Sequence, residues 1–481
     1  MSNRVAITEA SQRIGELVVF QGWVQARRDH GKLIFIELRD RTGHVQVVFN
    51  PKDSEALHQK ATQLRDEWVV EIQGEVIERP ESMRQSDSSS GAVELRPKSL
   101  IVLSQAQTPP FEVVGDGYNI GEEHRLNYRY LDLRRPRMRK NIRQRHKVTT
   151  AIRNHLNNFE FTEIETPILT KATLEGSRDF VVPSRLQPGK FYALPQSPQQ
   201  YKQLLMVAGF ERYYQIARAI RDEDPRADRG FEHTQVDLEM SFVTRDEVMN
   251  FVEEMIKSLV AHIGGKTLTA DPFPVLTYRE AMTKFGADKF DAREDKANPN
   301  ELAFAWVVDF PFFKTVDKGD VAEVRDGKSG WTFTHNPFSQ PKEEFIDQHL
   351  KGDNIGAILT SQYDLVCNGF EVGGGSIRAS DPKILRATYK IMGYDSEEIE
   401  ASIGHMLKAF EFGTPPHGGI ALGLDRLAMI LAGEESMKEV VAFPMSGTGR
   451  TAVMDGPSKI SPEQLDELGI ALVSTEEDEN A

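Results

Sequence analysis

The stretch RAIRDEDPRADRGFEHTQVDLEMSF, residues 218–242, decides the fold, because it has the pattern of a long β-hairpin. Its second half alternates an apolar side with a polar side, which is the period of a β-strand. The apolar side has Val236, Leu238, Met240 and Phe242, and the polar side has Gln235, Asp237, Glu239 and Ser241. An exposed face would explain polar residues. Carboxylate, amide and guanidinium groups together, with Arg221 and Glu223 nearby, favour a site for a zwitterion and a polyphosphate.

Length and composition are those of an ordinary globular protein. The chain has 481 residues, of which 39% are hydrophobic and 27% charged, enough for about two to four domains. A net charge of −15 argues against indiscriminate nucleic-acid binding, although a local basic patch could still bind it. The single cysteine, Cys367, excludes an internal disulfide framework and a thiolate zinc site, and we expect it to be buried.

The first residues, MSNRVAITEAS, lack the apolar core of a signal peptide, and no apolar run approaches the length of a membrane span. We therefore expect a cytoplasmic protein that has no membrane partner.

Residues 1–105 have the strand pattern of a small β-barrel. LVVFQGWV, KLIFIELRD and HVQVVF alternate as strands, a helical stretch follows at 53–66, and strands close the domain at 68–78 and 93–103. This order resembles an OB-fold, whose strand face binds oligonucleotides. Phe35 is on the more polar face of its strand, near the cations Arg27, Arg28, Lys32 and Arg39. We interpret Phe35 as a platform for an unpaired base, with a core position as the alternative.

Residues 106–140 are interpreted as a linker, because Thr108-Pro109-Pro110 interrupts regular structure. The run LNYRYLDLRRPRMRKNIRQRHK, residues 126–147, has nine Arg or Lys in 22 residues. In a chain of net charge −15 we interpret it as a phosphate contact surface, with a solvated helix face as the alternative. A helical pattern over 138–160 then opens a second domain, residues 141–481.

Several segments of this second domain place polar residues beside glycines or turns. A short strand ends at Pro167, and a polar loop at 169–182 is of the kind that closes over a ligand. Lys202 lies near the start of a helix, close to Ser197 and Gln199. The glycines at 373–375, flanked by Asp364, Glu371 and Arg378, would let a backbone pass close to a ligand. A helix is predicted at 382–410, and Arg426 opens another after a Gly-rich strand, where it could bind an anion.

These blocks together resemble the three motifs of class II aminoacyl-tRNA synthetases. Motif 1 corresponds to the strand ending at Pro167, motif 2 to 221–242, and motif 3 to GLDRLAMIL at 423–431. More narrowly, the blocks GWVQARRDHGKLIFIELRDRTGHVQVVF, TKATLEGSRDF, QSPQQYKQLLM, IRDEDPRADR, TQVDLEMSF and NGFEVGGGSIR are similar to bacterial-type aspartyl-tRNA synthetases. The resemblance implies an α+β fold, in which an N-terminal OB-fold β-barrel binds the anticodon and precedes an antiparallel β-sheet flanked by helices. It also implies a homodimer formed through motif 1.

The implied activity is the ATP-dependent attachment of L-aspartate to tRNA-Asp through an aspartyl-adenylate, with ATP as substrate and Mg²⁺ as cofactor. The catalytic positions would be Arg221 and Arg426. The aspartate site would consist of Glu175, Ser197, Gln199, Lys202, Arg221, Asp237, His335 and Arg378. The ATP site would consist of Arg221, Asp222, Glu223, His233, Gln235, Glu371, Gly423, Asp425 and Arg426. Asp364 and Glu371 would hold Mg²⁺, and the anticodon would be read by Arg28, His30, Phe35, Gln46 and Glu94.

This assignment gives a physical expectation for specificity. Lys202 and Arg378 would face the side-chain carboxylate of aspartate, and asparagine would leave their charge unpaired. Reaction needs no general base, because the substrate carboxylate is already ionised, so positioning and charge neutralisation should carry the rate.

The chain departs from the family pattern at two places, and a third residue informs the choice of tRNA. His233 stands where motif 2 usually has a Phe against adenine, and its charge could vary with pH. Residues 270–304 bridge directly a region where bacterial-type enzymes carry an extra domain of about a hundred residues. His30 gives RRDHG, which resembles enzymes that also charge tRNA-Asn, so we expect tRNA-Asn as a further partner.

Four alternatives stay open at this point. An asparaginyl-tRNA synthetase has the same fold, but the cations Lys202 and Arg378 argue against it. A tRNA-free amino-acid ligase would not need the OB-like domain, and a regulatory paralogue would not need a complete ATP site. A plain single-stranded nucleic-acid-binding protein would explain residues 1–105 only.

Overall fold

The computed structural model describes residues 4–84, 90–173, 175–316 and 328–473. The chain divides into two compact units, Met1–Gly115 and Asp116–Ala481, and the boundary falls inside the predicted linker. Within the described ranges no helix has the length and apolar character needed to cross a membrane.

The first unit is a closed β-barrel of the predicted OB type. Its elements are β1 (Leu17–His30), β2 (Leu33–Arg39), β3 (His44–Phe49), α1 (Glu55–Thr62), β4 (Val69–Glu78) and β5 (Val93–Ser104), and the strands pair in the order β1-β2-β3-β5-β4. Ile34 and Ile36 of β2 are buried in the barrel core, whereas Phe35 between them is half-exposed. This confirms the face predicted for Phe35. Arg39 is different, since it is buried in an ion pair with Glu67 at 2.8 Å, and the expectation that it is available for phosphate is wrong.

The second unit is built on an eight-stranded sheet. The strands of the whole unit, including short ones outside this sheet, are β6 (Thr162–Glu163), β7 (Val181–Pro183), β8 (Phe191–Ala193), β9 (Arg212–Ile220), β10 (Glu232–Ser241), β11 (Thr267–Leu268), β12 (Val275–Thr277), β13 (Glu301–Leu302), β14 (Phe304–Val308), β15 (Phe313–Thr315), β16 (Trp331–Phe333), β17 (Gln362–Cys367), β18 (Phe370–Ile377) and β19 (His417–Gly423). The sheet order is β12-β14-β17-β18-β19-β10-β9-β6. The interior pairs are antiparallel as predicted, but the end pairs β12–β14 and β6–β9 are parallel, so the sheet is mixed.

Helices flank this sheet. They are α2 (Glu122–Asn127), α3 (Arg129–Asp132), α4 (Pro136–Asn158), α5 (Gln199–Val207), α6 (Arg245–Ile263), α7 (Tyr278–Phe285), α8 (Ile346–Lys351), α9 (Pro382–Ile391), α10 (Ser396–Phe410), α11 (Leu424–Ala432) and α12 (Pro462–Leu468). The predicted helix over 382–410 is two helices, because Gly393 has a φ of 95° and Asp395 caps a new start with Glu398 in a capping box. Cys367 of β17 is a free, buried thiol, as expected.

The hairpin predicted from residues 218–242 is formed by β9 and β10, which pair along their length. Val236 and Leu238 of β10 are buried in the core that the sheet shares with α4, α6 and α11. Asp237 and Glu239 lie on the opposite face, and both are fully buried rather than exposed. Phe242 does not continue the apolar side. It follows the end of β10 with a φ of 58° and is 65% exposed, so that part of the prediction is wrong.

Part of the basic run at 126–147 belongs to a buried ion-pair cluster. Asp132 accepts from Arg129 at 2.7 Å and Arg135 at 2.8 Å, and Arg125 lies 3.4 Å from it. Arg125 also binds Glu439 at 2.7 Å. The prediction of a phosphate contact surface is therefore wrong for Arg129 and Arg135. The exposed cations of the run include Lys140, Arg143 and Lys147.

Candidate active site

A cavity of about 290 Å³ lies over the polar face of β10, and it gathers most of the predicted site residues. Those that line it are Glu175, Ser197, Gln199, Lys202, Arg221, Glu223, His233, Gln235, Asp237, His335, Glu371, Arg378, Gly423, Asp425 and Arg426. Asp222 is outside this set, because its carboxylate faces Arg178 at 3.3 Å. Asp364 is buried behind the lining, where it accepts from Gln362 at 2.7 Å.

The bottom of the cavity holds four buried charges. Lys202 of α5 lies 3.1 Å from Asp237 and 3.3 Å from Glu239. Arg378, which follows β18, donates to both oxygens of Glu239, at 2.8 and 3.2 Å. The two cations converge as predicted, but Glu239 pairs with both and Asp237 also pairs with Lys202, so two carboxyl groups already face the cations before a substrate carboxylate binds.

The donors that remain on these cations matter more than their formal charge. A guanidinium has five N–H donors and an ammonium has three. Arg378 uses four, two on Glu239, one on the Ser376 hydroxyl at 2.9 Å and one on the Gly419 carbonyl at 3.2 Å. Lys202 directs two of its three N–H donors toward carboxyl groups, one to Asp237 and one to Glu239. One donor on each cation is thus left for a ligand.

Burial and neighbouring charges shift the pKa values of the two carboxyl groups of this cluster, Glu239 and Asp237, in opposite directions. Burial opposes ionisation of Glu239, but Arg378 and Lys202 outweigh it and lower the pKa of Glu239 to about 2. Burial raises the pKa of Asp237, although Lys202 opposes this. Asp237 Oδ2 is also buried and has no hydrogen-bond partner among the described residues, so a cationic group of a ligand would satisfy it.

Glu175 completes the acidic side of the cavity from the loop before β7. Its Oε2 accepts from the Ser197 hydroxyl at 2.7 Å. Burial raises the pKa of Glu175 to about 7, against the opposing charge of Arg221. Glu175 and Asp237 are therefore two carboxyl groups that an ammonium ion would convert to their charged form.

The hairpin loop and α11 supply the cationic end of the cavity. Arg221 donates through Nε to the Gln196 carbonyl at 3.2 Å, and no carboxylate in the described ranges lies within 4 Å of its guanidinium. Arg426 donates to the Glu371 carbonyl at 2.7 Å and pairs with Asp228 at 3.2 Å. Glu223 accepts from the Ser177 hydroxyl and pairs with Arg229 at 3.0 Å. Among these side chains Arg221 is the one with no carboxylate within 4 Å in the described ranges.

His233 lines the same end, and its charge does not vary near neutral pH. Burial and the neighbouring arginines, Arg221 first among them, lower the pKa of His233 to about 3. The expectation of a pH-dependent charge at this position is therefore wrong, because the imidazole is a neutral flat ring at physiological pH.

Asp425 and Gly423 position the start of α11 and lie at the edge of the cavity. Asp425 is buried, accepts from the backbone of Thr234 at 2.9 Å and pairs with Arg145 of α4. It therefore fastens α11 to β10 and α4, and its carboxylate is already occupied. A Cβ atom added at Gly423 would lie 3.6 Å or more from its nearest neighbours, which is an ordinary van der Waals distance, so this position does not require glycine for lack of space.

The wall formed by β18 and β19 is almost free of side chains. A Cβ at Gly373 would lie 2.7 Å from the Ala421 carbonyl, and one at Gly375 would lie 2.2 Å from the Gly419 carbonyl. A Cβ at Gly374 would meet both Asp364, at 2.9 Å, and Glu371, at 3.5 Å. The two predicted metal ligands thus converge at Gly374.

Asp364 and Glu371 differ in their partners. His335 Nδ1 is 3.7 Å from Asp364, and Lys289 Nζ is 2.6 Å from Glu371. Burial and the charge of Glu371 raise the pKa of Asp364, while Lys289 holds that of Glu371 below its usual range against burial. No three His, Cys, Asp or Glu side chains of the described residues form a metal-binding group by themselves. The pair would need oxygen atoms from a ligand to complete the coordination of a hard cation.

The barrel has a second candidate site, a groove of about 220 Å³ on its outer face. Arg28, Phe35 and Gln46 line it together, as predicted. Gln46 donates to Glu94 at 2.9 Å and accepts from Arg79, a buried residue that sequence reasoning missed. His30 is exposed at the β1–β2 turn and does not line this groove. The groove offers an aromatic ring beside cations, the arrangement that binds unpaired bases.

Two important residues of the cavity were not assigned from the sequence. Glu239 lies on the polar side of β10, so its face was predicted, but its two partners are remote in the chain. Lys289 lies in the short connection after α7, where no sequence signal distinguished it from other lysines.

Comparisons with known proteins agree with this architecture. Residues 121–447 match the family described as "tRNA synthetases class II (D, K and N)", and residues 18–103 match "OB-fold nucleic acid binding domain". The chain is 38% identical to "Aspartate--tRNA(Asp/Asn) ligase" of Desulfatibacillum aliphaticivorans, over 95% of each chain. It is 37% identical to "Aspartate--tRNA ligase" of Oceanobacillus iheyensis, over 100% of each chain.

These two alignments extend over 582 and 595 positions, whereas this chain has 481 residues, so roughly a hundred positions of the relatives have no counterpart here.

Solved structures show the same fold. The asparaginyl-tRNA synthetase of Pyrococcus horikoshii, complexed with asparaginyl-adenylate, has a TM-score of 0.74 at 21% identity and covers 96% of this chain and 100% of that chain. The aspartyl-tRNA synthetase of Entamoeba histolytica has a TM-score of 0.71 at 21% identity and covers 92% and 91%. Family match, relatives and architecture together establish that this chain belongs to the class II tRNA synthetases of the aspartate, lysine and asparagine group.

Proposed function

We propose that this protein is an aspartate–tRNA ligase. In the first step an α-carboxylate oxygen of L-aspartate attacks the α-phosphorus of ATP, forming a P–O bond as pyrophosphate leaves with its bonding electrons. In the second step a ribose hydroxyl at the end of tRNA takes the aspartyl group and AMP is released. The names of the relatives support this choice of substrates.

The observation that carries the choice of aspartate is the pair of donors left on Lys202 and Arg378. A side-chain carboxylate has two acceptor oxygens and can take both. The amide of asparagine has one acceptor oxygen and an NH₂ group, so one donor would face another donor without a partner. Free hydrogen-bond donors, and not two uncompensated cations, would do the selecting, because Glu239 pairs with both cations and Asp237 with Lys202.

Orientation of the substrate follows from the remaining charges. The ammonium group would lie between Asp237 Oδ2 and Glu175, the two carboxyl groups that burial makes reluctant to ionise. The α-carboxylate would then point to Arg221, whose guanidinium has no carboxylate partner in the described part of the chain. A bidentate guanidinium there would neutralise charge that grows on the α-phosphate.

At the nucleotide end, Arg426 would bind the distal phosphates, Glu223 the adenine amino group, and the neutral ring of His233 would stack on adenine. Asp364 and Glu371, which converge at Gly374, fit a magnesium ion that shares its remaining coordination with ATP phosphates. That ion, when bound, neutralises phosphate charge. His335, whose buried Nε2 has no partner among the described residues, would close the cavity over the substrates.

We extend the proposal to partners. The groove of Arg28, Phe35 and Gln46 would bind the anticodon of tRNA-Asp, and Glu94 would fix Gln46. Relatives named for both Asp and Asn tRNAs, together with His30, support charging of tRNA-Asn as well.

Exposed apolar side chains, among them Ile168 and Leu169, lie directly after Pro167. They support a homodimer formed through motif 1. We place the enzyme in the cytoplasm. The roughly hundred positions of the relatives that have no counterpart in this chain are assigned to the region of 270–304.

ATP–pyrophosphate exchange with each amino acid in turn tests the proposal. Exchange should depend on aspartate, with asparagine and glutamate giving little. Exchange that depends on asparagine, or no exchange with any amino acid, would refute it. Aminoacylation of purified tRNA-Asp and tRNA-Asn transcripts then decides the tRNA set, and aspartylation confined to tRNA-Asp would remove the extension to tRNA-Asn.

A further inference from the structure

Lys289 reaches into the active-site cavity from the connection that follows α7. Its Nζ lies 2.6 Å from Glu371 Oε2, and it lines the cavity together with Glu371. In the described ranges Lys289 is the only cation within 4 Å of that carboxylate. The other basic group nearby, Arg426, donates to the backbone carbonyl of Glu371 and not to its side chain.

The backbone at Lys289 is held firmly while its side chain is free to move. Phe290 is buried, and its ring stacks on Phe285 of α7 with centroids 4.1 Å apart. The Phe290 carbonyl accepts from the backbone of Gly369, in the turn between β17 and β18. These contacts of Phe290 hold the backbone of the adjacent Lys289 beside β18. The side chain itself is 43% exposed, so its flexible chain can swing without disturbing the core.

An ammonium group and a divalent cation cannot use the same carboxylate side together. Mg²⁺ binds carboxylate oxygen at about 2.0–2.1 Å, closer than the ammonium nitrogen, and the two like charges would repel strongly at such separation. Glu371 Oε1 is the oxygen that faces Gly374 and Asp364, whereas Lys289 holds Oε2, so a metal ion bound at Oε1 would lie close to the ammonium and be repelled by it. Phosphate oxygens in the same cavity would be the natural acceptors for the displaced ammonium.

We infer that Lys289 is a displaceable counter-ion of Glu371, which keeps divalent cations off this carboxylate until nucleotide arrives. In the nucleotide-free enzyme Lys289 neutralises Glu371. With metal and ATP bound, Lys289 would leave Glu371 for the phosphate chain, and Glu371 would be available to hold the metal. Lys289 is thus a positioning residue that couples metal binding to nucleotide binding, and this role rests on the proposed metal site at Glu371.

The test is a Mn²⁺ titration of the nucleotide-free enzyme, in which free Mn²⁺ is measured by electron paramagnetic resonance. Lys289→Met should lower the Mn²⁺ Kd by about fivefold, the scale set by a partly exposed ion pair. Lys289→Arg, which keeps a cation, should bind Mn²⁺ as the unmodified protein does. Lys284→Met is the matched control, because Lys284 is exposed on α7 with its ammonium 4.9 Å from the centre of the Phe285 ring.

The tighter Mn²⁺ binding of Lys289→Met should require Glu371, so the double variant Lys289→Met with Glu371→Gln should not show it. An unchanged Mn²⁺ Kd in Lys289→Met, or Mn²⁺ binding to neither form, overturns the inference. Aspartate-dependent exchange by the unmodified enzyme tests the proposed function separately. Exchange with an unchanged Mn²⁺ Kd removes only the role of Lys289, whereas absence of exchange removes the proposed function whatever the titration shows.

Discussion

Replacing Arg378 with leucine should impair both folding and activity, because this residue serves the buried cluster as well as the substrate. Glu239 is fully buried, and burial would raise its pKa were it not for Arg378 and Lys202. They lower that pKa from the ordinary 4.5 to about 2, which corresponds to about 3 kcal/mol at 25 °C. Losing one partner of a buried pair costs roughly 3–5 kcal/mol in general. We therefore expect Arg378→Leu to lower the free energy of unfolding by about 3 kcal/mol.

Urea unfolding and aspartate-dependent pyrophosphate exchange would measure the two effects. A depressed carboxyl pKa stabilises the fold above the unfolded pKa of about 4.5, and this contribution is lost as pH falls toward 2. The stability difference between Arg378→Leu and the unmodified protein should therefore narrow below pH 4.5. Arg386→Leu is the matched control, since Arg386 forms only an exposed pair with Glu400 at 2.6 Å and should cost under about 1 kcal/mol.

A double variant separates the two roles of Arg378. Glu239→Leu combined with Arg378→Leu removes both charges, so stability should return to within about 1 kcal/mol of the unmodified protein. Exchange should stay absent, because the donor for the substrate carboxylate is still missing. Normal exchange in Arg378→Leu, or recovery of exchange in the double variant, would show that the aspartate site has been placed wrongly.

Four further outcomes are expected. Below pH 7 Glu175 takes up a proton and can no longer hold an ammonium, so kcat/KM for aspartate should fall about tenfold per pH unit. Glu175→Gln should remove that slope, and a slope that persists would exclude Glu175. His233→Phe enlarges a ring that is already neutral, and should tighten ATP binding by about fivefold, seen by calorimetry. Equal affinity would argue against stacking at this position. Asp132→Asn leaves three buried arginines short of a carboxylate and should cost about 3 kcal/mol in urea unfolding, whereas a loss under about 1 kcal/mol would show the cluster to be unimportant. His30→Leu, at an exposed turn, should reduce charging of tRNA-Asn and leave charging of tRNA-Asp and stability unchanged; equal losses on both tRNAs would contradict it.

The sequence was informative wherever a local period decides the outcome. Alternation in residues 234–241 placed Val236 and Leu238 on the core side and Asp237 and Glu239 on the other, and the same reasoning placed Phe35 on the outer face of the barrel. What alternation could not show is whether the polar side is exposed or buried, because that depends on elements packed over it from distant parts of the chain.

Long-range charge pairing explains the errors. The basic run resembles a surface when only neighbours are counted, yet its Arg137 pairs with Glu439, 302 residues later in the chain. Arg39 is balanced by Glu67 and Glu371 by Lys289 in the same way. Arg129 and Arg135 of the basic run are buried on the nearby Asp132, a pairing that sequence reasoning missed. A local reading of charge therefore overestimates exposed cations and misses counter-ions, since burial of one charge requires an opposite charge whose sequence position is arbitrary.

The bare wall of β18 and β19 limits how this enzyme could be adapted to new amino acids. Because a methyl group at Gly373 or Gly375 would strike the carbonyls of the adjacent strand, single substitutions at these two glycines are closed to laboratory evolution. Variation that widens or narrows the choice of substrate should instead accumulate in the Glu175 segment and at Asn336, which border the chamber with side chains outside the buried core. Libraries directed to those positions would retain more folded members than libraries directed to the glycines.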